Sequence, residues 1–252
     1  MPANARRPKT YDSAFYAAQS AGSRRSAAVV VRLVNNLLRP KSVLDVGCGL
    51  GTWLAEWIAC GTTDVLGLDG GYVQATQLQI PRDAFRPLDL TRSFSLGRRF
   101  DLVESLEVAE HLDESCADSF VESLSAHADN VLFSAAIPRQ GGYRHVNEQW
   151  PSYWIPKFSR LGLRVFDIVR PAIWDCSAVD YWYRQNILLF SRTLDAAAHG
   201  TYIDVVHPAM WDARDDLTLG QLIKELPSAA FRALHTRLPK FRMSRSDSRE
   251  TV

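Results

Sequence analysis

The sequence is poor in cysteine and has no long apolar run, and each shortage excludes a class of protein. None of the cysteines belongs to a Cys-x-x-Cys pair, and they are spread widely, as Cys48, Cys60, Cys116 and Cys176. A zinc cluster or a disulfide framework is therefore not expected. The apolar run Ala27–Val31 is far too short to span a bilayer, and residues 1–9 lack the apolar core of a secretion signal. We expect a cytoplasmic protein with no transmembrane segment.

The sequence also lacks an excess of charge of either sign. Its 252 residues include 29 Lys and Arg against 28 Asp and Glu, which leaves a net charge of +1. A protein that grips a polyphosphate backbone usually carries a much larger basic excess. The balance therefore favours a small or neutral substrate and argues against a nucleic acid as partner. The length suits one generous α/β domain, alone or with appended segments.

The patterning divides the chain into three predicted parts. Residues 1–40 form an N-terminal arm and helices, residues 41–191 an α/β domain, and residues 192–252 a C-terminal appendage with a flexible basic tail. Helical spacing from Tyr11 to Leu38 is interrupted by Gly22 and Ser23, which predicts a break in the helix there. The appendage is predicted to hold two short helices, Leu217–Leu226 and Ala229–Leu238. Its basic residues form either a solvated tail or a contact with an anionic membrane or a partner.

Short apolar runs alternate with helical stretches through the central part. Strands rich in β-branched residues and separated by helices are typical of a largely parallel, buried sheet. We therefore predict a doubly wound α/β fold with a mostly parallel sheet of seven strands. The predicted strands are Ser42–Val46, Val65–Asp69, Ala84–Pro87, Phe100–Leu106, Val131–Ala136, Leu163–Val169 and Ile187–Phe190. The predicted helices are Thr52–Ala59, Glu114–His127 and Trp150–Leu161.

A glycine-rich turn follows the first predicted strand. Gly47, Gly49 and Gly51 allow the backbone to turn tightly and to approach a ligand without Cβ clashes. The helix that starts after this turn offers free N–H groups to an anionic group. The spacing is Gly-x-Gly-x-Gly, with Thr52 where the dinucleotide fingerprint has its third glycine. Taken alone, such a turn is found in many α/β proteins.

Two acidic positions follow the next two strands. Asp69 ends the second strand, where it can accept hydrogen bonds from ribose hydroxyls, and Asp89-Leu90 follows the third, where it can meet an adenine amino group. In this order, the turn and the two acidic positions resemble the class I S-adenosylmethionine-dependent methyltransferase superfamily. The resemblance implies a Rossmann-like methyltransferase fold with the glycines beside the methionine moiety, Asp69 on the ribose and Asp89 with Leu90 on the adenine. It also implies that Asp45 positions the amino-acid end of the cofactor. The alternative is a structural glycine turn with buried aspartate caps.

The exit of the fourth strand carries Glu107-Val108-Ala109-Glu110-His111. The resemblance places this exit opposite the transferred methyl group, with Glu107 near the sulfonium, where its charge favours the cationic cofactor. Acidic residues are also favoured in the first turn of a helix. A structural role for Glu110 and His111 is therefore weighed equally with a catalytic role for His111.

A polar loop follows the fifth strand, at the edge of the sheet where ligands of such folds bind. His145, Asn147 and Glu148 provide a base, an amide and a carboxylate within four positions. Methyl transfer to a hydroxyl needs an aligned acceptor and a group that takes its proton, and a histidine near neutral pKa suits the second task. We predict His145 as the general base. The alternative is a loop histidine that only hydrogen-bonds the substrate or a cap.

Aromatic residues are dense after this loop. Some must belong to the core, and others near Pro151, Pro156 and Pro171 are predicted in loops, where their polar tips can face a cleft. Flat rings with hydrogen-bonding edges suit a sugar or another polyhydroxylated acceptor. The predicted acceptor contacts are Asn147, Glu148, Trp150 and Tyr181.

Further segments are similar to a bacterial methyltransferase group associated with polysaccharide and glycan assembly. They are Tyr11-Asp12 with Phe15-Tyr16 and Gln19, Gly51–Leu54, Phe133–Pro138, His145–Pro151, Trp182–Asn186 and Asp204–Pro208. This resemblance implies a sugar O-methyltransferase with a saccharide substrate, and a lid over the cofactor that includes Tyr16 and Gln19. The same cofactor site would serve a small non-sugar metabolite or a lipid-linked acceptor, or a non-catalytic partner subunit that only binds the cofactor. A homodimer is compatible with the sequence.

Some sugar O-methyltransferases bind Mg²⁺, which gathers the acceptor hydroxyls and lowers their pKa. The candidate oxygen ligands in this sequence are Glu107, Glu110, Glu148 and Asp175. Metal-dependent members usually carry an Asp-Asp pair after the fifth strand, and this sequence has none there. Dependence on Mg²⁺ is thus an open hypothesis at this stage.

Overall fold

A computed structural model describes residues 13–195 and 202–215, with side chains described for residues 22–195 and 202–213. The N-terminal arm, the predicted helices Leu217–Leu226 and Ala229–Leu238 and the basic tail lie outside the described residues. The chain forms two compact units, residues 1–210 and residues 211–252. Of the second unit the structure describes residues 211–215, which are helical.

The first unit is built on a seven-stranded sheet in the order β3-β2-β1-β4-β5-β7-β6. The strands are β1 (Ser42–Val46), β2 (Asp64–Asp69), β3 (Phe85–Pro87), β4 (Leu102–Leu106), β5 (Asn130–Ser134), β6 (Arg164–Phe166) and β7 (Leu188–Ser191). Every pairing is parallel except those of β7 with β5 and with β6. The order reverses between β1 and β4, and ligands of open α/β sheets bind at the carboxyl ends of the strands beside such a reversal.

Helices cover both faces of this sheet. They are α1 (Ser13–Leu38), α2 (Thr52–Ala59), α3 (Ala117–His127), α4 (Pro151–Arg160), α5 (Val169–Ile173) and α6 (Tyr181–Asn186). A further helix, α7 (Pro208–Asp215), follows β7 along the chain. One core cluster joins α3 and α4 to the sheet, and a second joins α1, α2, α5 and α6 to the opposite face. Strands covered on both faces are buried along their length, which explains their almost continuous apolar sequence. The predicted doubly wound fold is confirmed.

Most predicted boundaries lie close to the observed ones. β1 and α2 match residue for residue, and the other strands differ by at most two residues at either end, apart from the end of β6. β6 was expected to continue to Val169 but stops at Phe166, because the chain then turns into α5. Arg170 on α5 is buried and pairs with Asp167, while its guanidinium also donates to the carbonyl of Gln185. These contacts stabilise the turn in place of a longer strand.

The predicted break at Gly22 and Ser23 is wrong, because α1 runs unbroken from Ser13 to Leu38. A Cβ on Gly22 would lie 2.5 Å from a carboxylate oxygen of Asp180. The glycine therefore allows a close approach to the start of α6, and Ser26 completes the contact by accepting a hydrogen bond from the Asp180 N–H at 3.0 Å. Burial of the next turns of α1 at Ala27 and Val30 outweighs the low helix propensity of glycine, about 1 kcal/mol.

The aromatic residues Tyr153 and Trp154, near Pro151 and Pro156, lie in α4 and not in a loop. Pro156 is inside α4, and Pro171 is inside α5. Trp154 on α4 is 2% exposed and Tyr183 on α6 is 7% exposed, so both are core residues. Within the described residues, no helix has the length and apolar character needed to cross a membrane.

Candidate active site

The glycine turn between β1 and α2 lies at the carboxyl edge of the sheet. The N–H groups of Gly47 and Cys48 both donate to the carbonyl of Leu68, at 2.8 and 3.1 Å. Gly47, Gly49 and Gly51 all have positive φ, at 89°, 55° and 79°. A Cβ on Gly47 would lie 2.3 Å from Val108, whereas a Cβ on Gly49 would meet nothing within 4 Å. The turn therefore packs against the β4 exit at Gly47 and faces open space at Gly49.

Asp69 closes this space at the end of β2. Its Oδ2 accepts from the N–H of Gly49 at 2.7 Å, and its Oδ1 accepts from the N–H of Gly70 at 2.6 Å and from the hydroxyl of Tyr72. A ribose hydroxyl would offer the same kind of donor as Tyr72, whose side chain is 68% exposed. The open cradle at Gly49 and the hydroxyl-accepting carboxylate fit the nucleoside and methionine parts of S-adenosylmethionine.

Asp89 and Leu90, the predicted adenine contacts, follow β3. Asp89 is exposed, and its Oδ1 accepts from the N–H and the hydroxyl of Thr91 at 3.0 and 2.6 Å. These hydrogen bonds hold the pKa of Asp89 below its ordinary value. Leu90 is half-buried and packs against the core cluster on the α3 and α4 side. The carboxylate is thus fixed in a turn and ionised, and its adenine role remains a prediction.

A buried pair of carboxyl groups lies beneath the glycine turn. Asp45 on β1 is opposite Glu104 on β4, and the two are 4% and 0% exposed. The indole Nε1 of Trp57 donates to Glu104 Oε2 at 2.9 Å. Burial raises the pKa of Glu104 to about 8, and burial together with the charge of Glu104 raises the pKa of Asp45 well above its usual range. The predicted role of Asp45 at the amino-acid end of the cofactor stays a prediction.

Glu107 sits at the exit of β4 in a left-handed backbone conformation, with φ of 57°. Such a conformation is uncommon for a residue other than glycine and is a mark of functional sites. Its carboxylate accepts from Gln140 Nε2 at 2.8 Å and from Asn186 Nδ2 at 3.0 Å, and its N–H donates to the Ser134 carbonyl at 3.0 Å. Burial raises its pKa, and the amide hydrogen bonds act in the opposite direction. Two amides thus fix the carboxylate that sequence reasoning placed near the sulfonium.

Glu110, His111 and His145 converge at the same edge. Glu110 and His111 lie in a short 3₁₀ turn after β4, and His145 lies in the loop between β5 and α4. The ligand atoms of the three side chains lie within 4.8 Å of one another, and the two imidazole rings meet edge to face at 4.9 Å. The Glu110 carbonyl accepts from the N–H groups of Val146 and Asn147 at 2.8 and 3.0 Å, which joins the two segments.

The charges in this group differ from one side chain to the next. Burial, followed by the charge of Glu107, raises the pKa of Glu110 well above its ordinary value. Partial loss of hydration around its ring, followed by the neighbouring His145, lowers the pKa of His111, although the residue as a whole stays exposed. Partial burial acts to raise the pKa of Glu148, yet the hydrogen bonds from His145 and from two N–H groups bring it below its ordinary value. The site therefore holds an ionised Glu148 beside a carboxyl group, Glu110, that resists ionisation.

His145 is oriented by Glu148, as the sequence placed them three positions apart. Its Nδ1 lies 3.0 Å from Glu148 Oε1, and Glu148 also accepts from the N–H groups of Arg139 and Gly141 at 2.7 and 2.8 Å. Asn147 is 3% exposed, and its amide nitrogen makes no hydrogen bond, whereas its Oδ1 accepts from Gln149. This buried amide N–H₂ group can therefore donate a hydrogen bond to an oxygen atom of a bound molecule.

The remaining predicted site residues are placed less specifically. Trp150 is half-buried and immediately precedes α4, and Tyr181 is half-buried at the start of α6. Tyr16 and Gln19 lie on α1, but their side chains lie outside the described part, so their role in a lid stays a prediction. Further along α1, Ser23 accepts from Trp53 Nε1 at 3.0 Å, which ties the helix to α2 beside the glycine turn.

The oxygen ligands proposed for Mg²⁺ are not gathered as a set. Glu107 and Glu148 are occupied by the hydrogen bonds described above, and Asp175 is exposed in the turn after α5. Among the described residues, the group whose ligand atoms do converge is that of Glu110, His111 and His145. Only Glu110 belongs to both sets, and the prediction of an all-oxygen site finds no support.

The chain belongs to the methyltransferase-domain family, whose model matches residues 18–168. It is 33% identical over 107 residues to the ubiquinone biosynthesis O-methyltransferase of Methylobacterium sp. (strain 4-46), a match that spans 39% of this chain and only 41% of that enzyme.

Two solved structures illustrate the shared fold. Magnesium protoporphyrin IX methyltransferase of Synechocystis PCC 6803 with bound SAH has a TM-score of 0.53 and 18% identity, over 74% of this chain and 90% of that one. The sugar N-methyltransferase KedS8 of Streptoalloteichus sp ATCC 53650 has a TM-score of 0.55 and 14% identity, over 76% of this chain and 96% of that one.

Sequence reasoning assigned no role to Gln140, Asn186 or Glu104. Gln140 and Asn186 are distant in sequence, yet Gln140 Oε1 accepts from Asn186 Nδ2 at 2.9 Å while both bind Glu107. The one available signal was the pair Gln185-Asn186, two amides directly before the apolar strand β7. Glu104 lies in β4, whose other residues are mostly apolar. A charged residue between buried neighbours was the signal in the sequence that could have identified it as a site residue.

Proposed function

We propose that this methyltransferase transfers the methyl group of S-adenosylmethionine to a hydroxyl of a sugar or oligosaccharide in polysaccharide biosynthesis. The observation that carries the proposal is the contact between Gly47 and Val108, which brings the cofactor turn against the segment that holds Glu110 and His111. The cofactor cradle and the polar group of Glu110, His111 and His145 thus share one edge of the sheet.

We assign a role to the residues on each side of that contact. Gly49 and Asp69 would hold the methionine and ribose parts, and Asp89 with Leu90 the adenine. When bound, S-adenosylmethionine supplies an electrophilic methyl group on its sulfonium. Its transfer to the acceptor oxygen would leave the electron pair of the carbon–sulfur bond on sulfur, so the remaining task for the protein would be to align the acceptor hydroxyl and take its proton. The acceptor proton goes to His145, which Glu148 holds in place through Nδ1.

The polar character of the acceptor side supports a saccharide. Asn147 presents a buried amide N–H₂ without a partner, and a hydroxyl oxygen would satisfy it. Glu107, held by two amides, lies at the exit of β4 on the same edge of the sheet. The net charge of +1 suits a neutral acceptor better than a polyanion.

A second candidate is O-methylation of a small non-sugar molecule. The observation that favours it is the 33% identity over 107 residues to a ubiquinone biosynthesis O-methyltransferase. The cofactor half of the site is the same in both proposals, so only the identity of the acceptor separates them.

The test is transfer of labelled methyl from S-adenosylmethionine into separated glycan, lipid, small-metabolite, protein and RNA fractions. The proposal expects label in the glycan fraction, and none with an Asp69→Ala variant that has lost its cofactor contact. Label confined to the small-metabolite or lipid fraction would show that the acceptor is a non-sugar molecule, as in the second candidate, and not a saccharide. Cofactor binding without transfer into any fraction would contradict an enzymatic role and favour a non-catalytic partner subunit.

A further inference from the structure

Glu110 differs from Asp69 and Glu107, two other acidic groups of the site, in having no hydrogen-bond partner. Its side chain is 1% exposed, and neither carboxylate oxygen makes a hydrogen bond. Asp69, in contrast, accepts three hydrogen bonds, and Glu107 accepts two through its carboxylate. A buried carboxylate without a partner is unfavourable, because it has lost its hydration and gained nothing in return. Such a group calls for a cation or a donor that completes it.

Two imidazoles face this carboxylate. His145 Nε2 lies 4.0 Å from Glu110 Oε1, too far for a hydrogen bond, and the ligand atoms of Glu110, His111 and His145 all lie within 4.8 Å of one another. Two ligands about 2.1 Å from one tetrahedral ion are separated by about 3.4 Å. The observed pair would therefore need to close by only about 0.6 Å to share an ion.

Glu148 orients the His145 ring so that Nε2 can bind an ion. A carboxylate only accepts, so the 3.0 Å contact assigns the ring proton to Nδ1 and leaves the lone pair of Nε2 facing Glu110. Glu148 is itself fixed by the N–H groups of Arg139 and Gly141. A carboxylate that orients a histidine from behind is the usual second layer of a metal site.

We propose that Glu110, His111 and His145 bind one divalent transition-metal ion of the Zn²⁺ type. Two imidazoles and one carboxylate suit Zn²⁺, Fe²⁺ or Co²⁺, whereas Mg²⁺ prefers a shell of oxygens. His111 is exposed and so leaves a route for the ion to enter. Three protein ligands also leave coordination positions open for a further oxygen.

A role of the open coordination positions in methyl transfer rests on the proposed function. The binding of the ion itself does not. Because Val108 packs against Gly47, the ion would lie beside the cofactor turn, where an acceptor hydroxyl could bind it and release its proton to water on the exposed side of His111. His145 would then act as a ligand and not as the base, since its Nε2 cannot do both.

The experiment measures metal binding independently of methyl transfer. The untagged full chain is stripped with a chelator, and Zn²⁺ binding is followed by calorimetry, by metal content after gel filtration and by the rise in Tm. Co²⁺ is added in parallel for its visible spectrum. Glu110→Gln and His111→Ala remove one ligand each, and Glu122→Gln, an exposed glutamate on α3, is the matched control.

We expect one equivalent of Zn²⁺ in the wild type and in Glu122→Gln, with affinity lowered at least about tenfold in both ligand variants. Glu110→Gln should keep its fold in the absence of metal, because it replaces a buried carboxylate with a neutral amide. No saturable binding, equal affinity in all four proteins, or preference for Mg²⁺ would overturn the proposal. Cofactor binding and transfer are measured on the same samples, so a site that binds Zn²⁺ without supporting transfer would contradict only the proposed function.

Discussion

Asp45 and Glu104 occupy directly opposed positions on the parallel strands β1 and β4, so their side chains leave the sheet on the same face. Both are almost fully buried, and the indole of Trp57 donates to one oxygen of Glu104. Two carboxylates cannot both ionise at such a place without strong repulsion and loss of hydration. The pair therefore keeps a proton under conditions where free carboxyl groups have lost theirs.

Replacing Glu104 with glutamine should flatten the dependence of stability on pH. The pKa of Glu104 is about 8 in the folded protein against 4.5 ordinarily, so the folded state binds more protons than the unfolded state between these values. Stability is then fully present below the lower value and falls as pH rises through the higher one. From about pH 5 to about pH 8, the wild type should lose more than about 1 kcal/mol of unfolding free energy relative to Glu104→Gln.

Urea unfolding followed by fluorescence at several pH values would measure this difference. Glu122→Gln, exposed on α3, is the control and should follow the wild type. Parallel pH curves for wild type and Glu104→Gln would show that the buried carboxyl is ionised in the folded protein.

Two glycines in one turn should respond differently to alanine. At Gly49 the added methyl group would enter open space, so Gly49→Ala should fold, with about 1–2 kcal/mol lost to its positive φ. Cofactor affinity should fall at least about tenfold, because the methyl group fills the cradle. At Gly47 the methyl group would overlap Val108, so Gly47→Ala should lower Tm more than Gly49→Ala does.

Calorimetry with S-adenosylhomocysteine and thermal unfolding of the same samples would separate the two effects. Undiminished affinity in a folded Gly49→Ala protein would mean that the cofactor does not approach the turn at this residue.

The elements of this fold were easier to predict than the contacts of its site. β1 is a mainly apolar run, interrupted by Asp45, before a glycine turn, and both its ends were predicted correctly. The predicted break at Gly22 was wrong, because local propensity penalises glycine in a helix while the close approach of Asp180 is a tertiary contact. Likewise, the sequence could place Glu110 near His111, but only the fold shows that its carboxylate is buried without a hydrogen bond.

The hydrogen bonds from Gln140 and Asn186 that fix the Glu107 carboxylate should affect turnover more than cofactor binding. Asn186 donates to Glu107 Oε1, so Asn186→Ala leaves that oxygen without this donor and frees the carboxylate to move. A displacement of about 1 Å in a catalytic group can cost roughly 10–100-fold in rate. We expect kcat to fall by about that factor with KM for S-adenosylmethionine changed little, and Asn36→Ala on the exposed side of α1 to behave as wild type. A rise in KM with kcat unchanged would assign Glu107 to binding of the cofactor alone.

His145 should be needed for transfer in a way that its neighbour is not. His145→Ala removes the imidazole that faces Glu110 and should lower turnover by roughly 10²–10⁴-fold while cofactor binding is kept. Val146 is 62% exposed in the same loop, so Val146→Ala is the matched control and should retain activity. Glu110→Gln then separates the two roles of the ring. If His145 is the base, Glu110→Gln should keep most of its activity. If His145 is a metal ligand, Glu110→Gln should lose activity as His145→Ala does. Near-normal turnover in His145→Ala would remove the residue from both roles, because neither proton transfer nor metal binding survives loss of the ring.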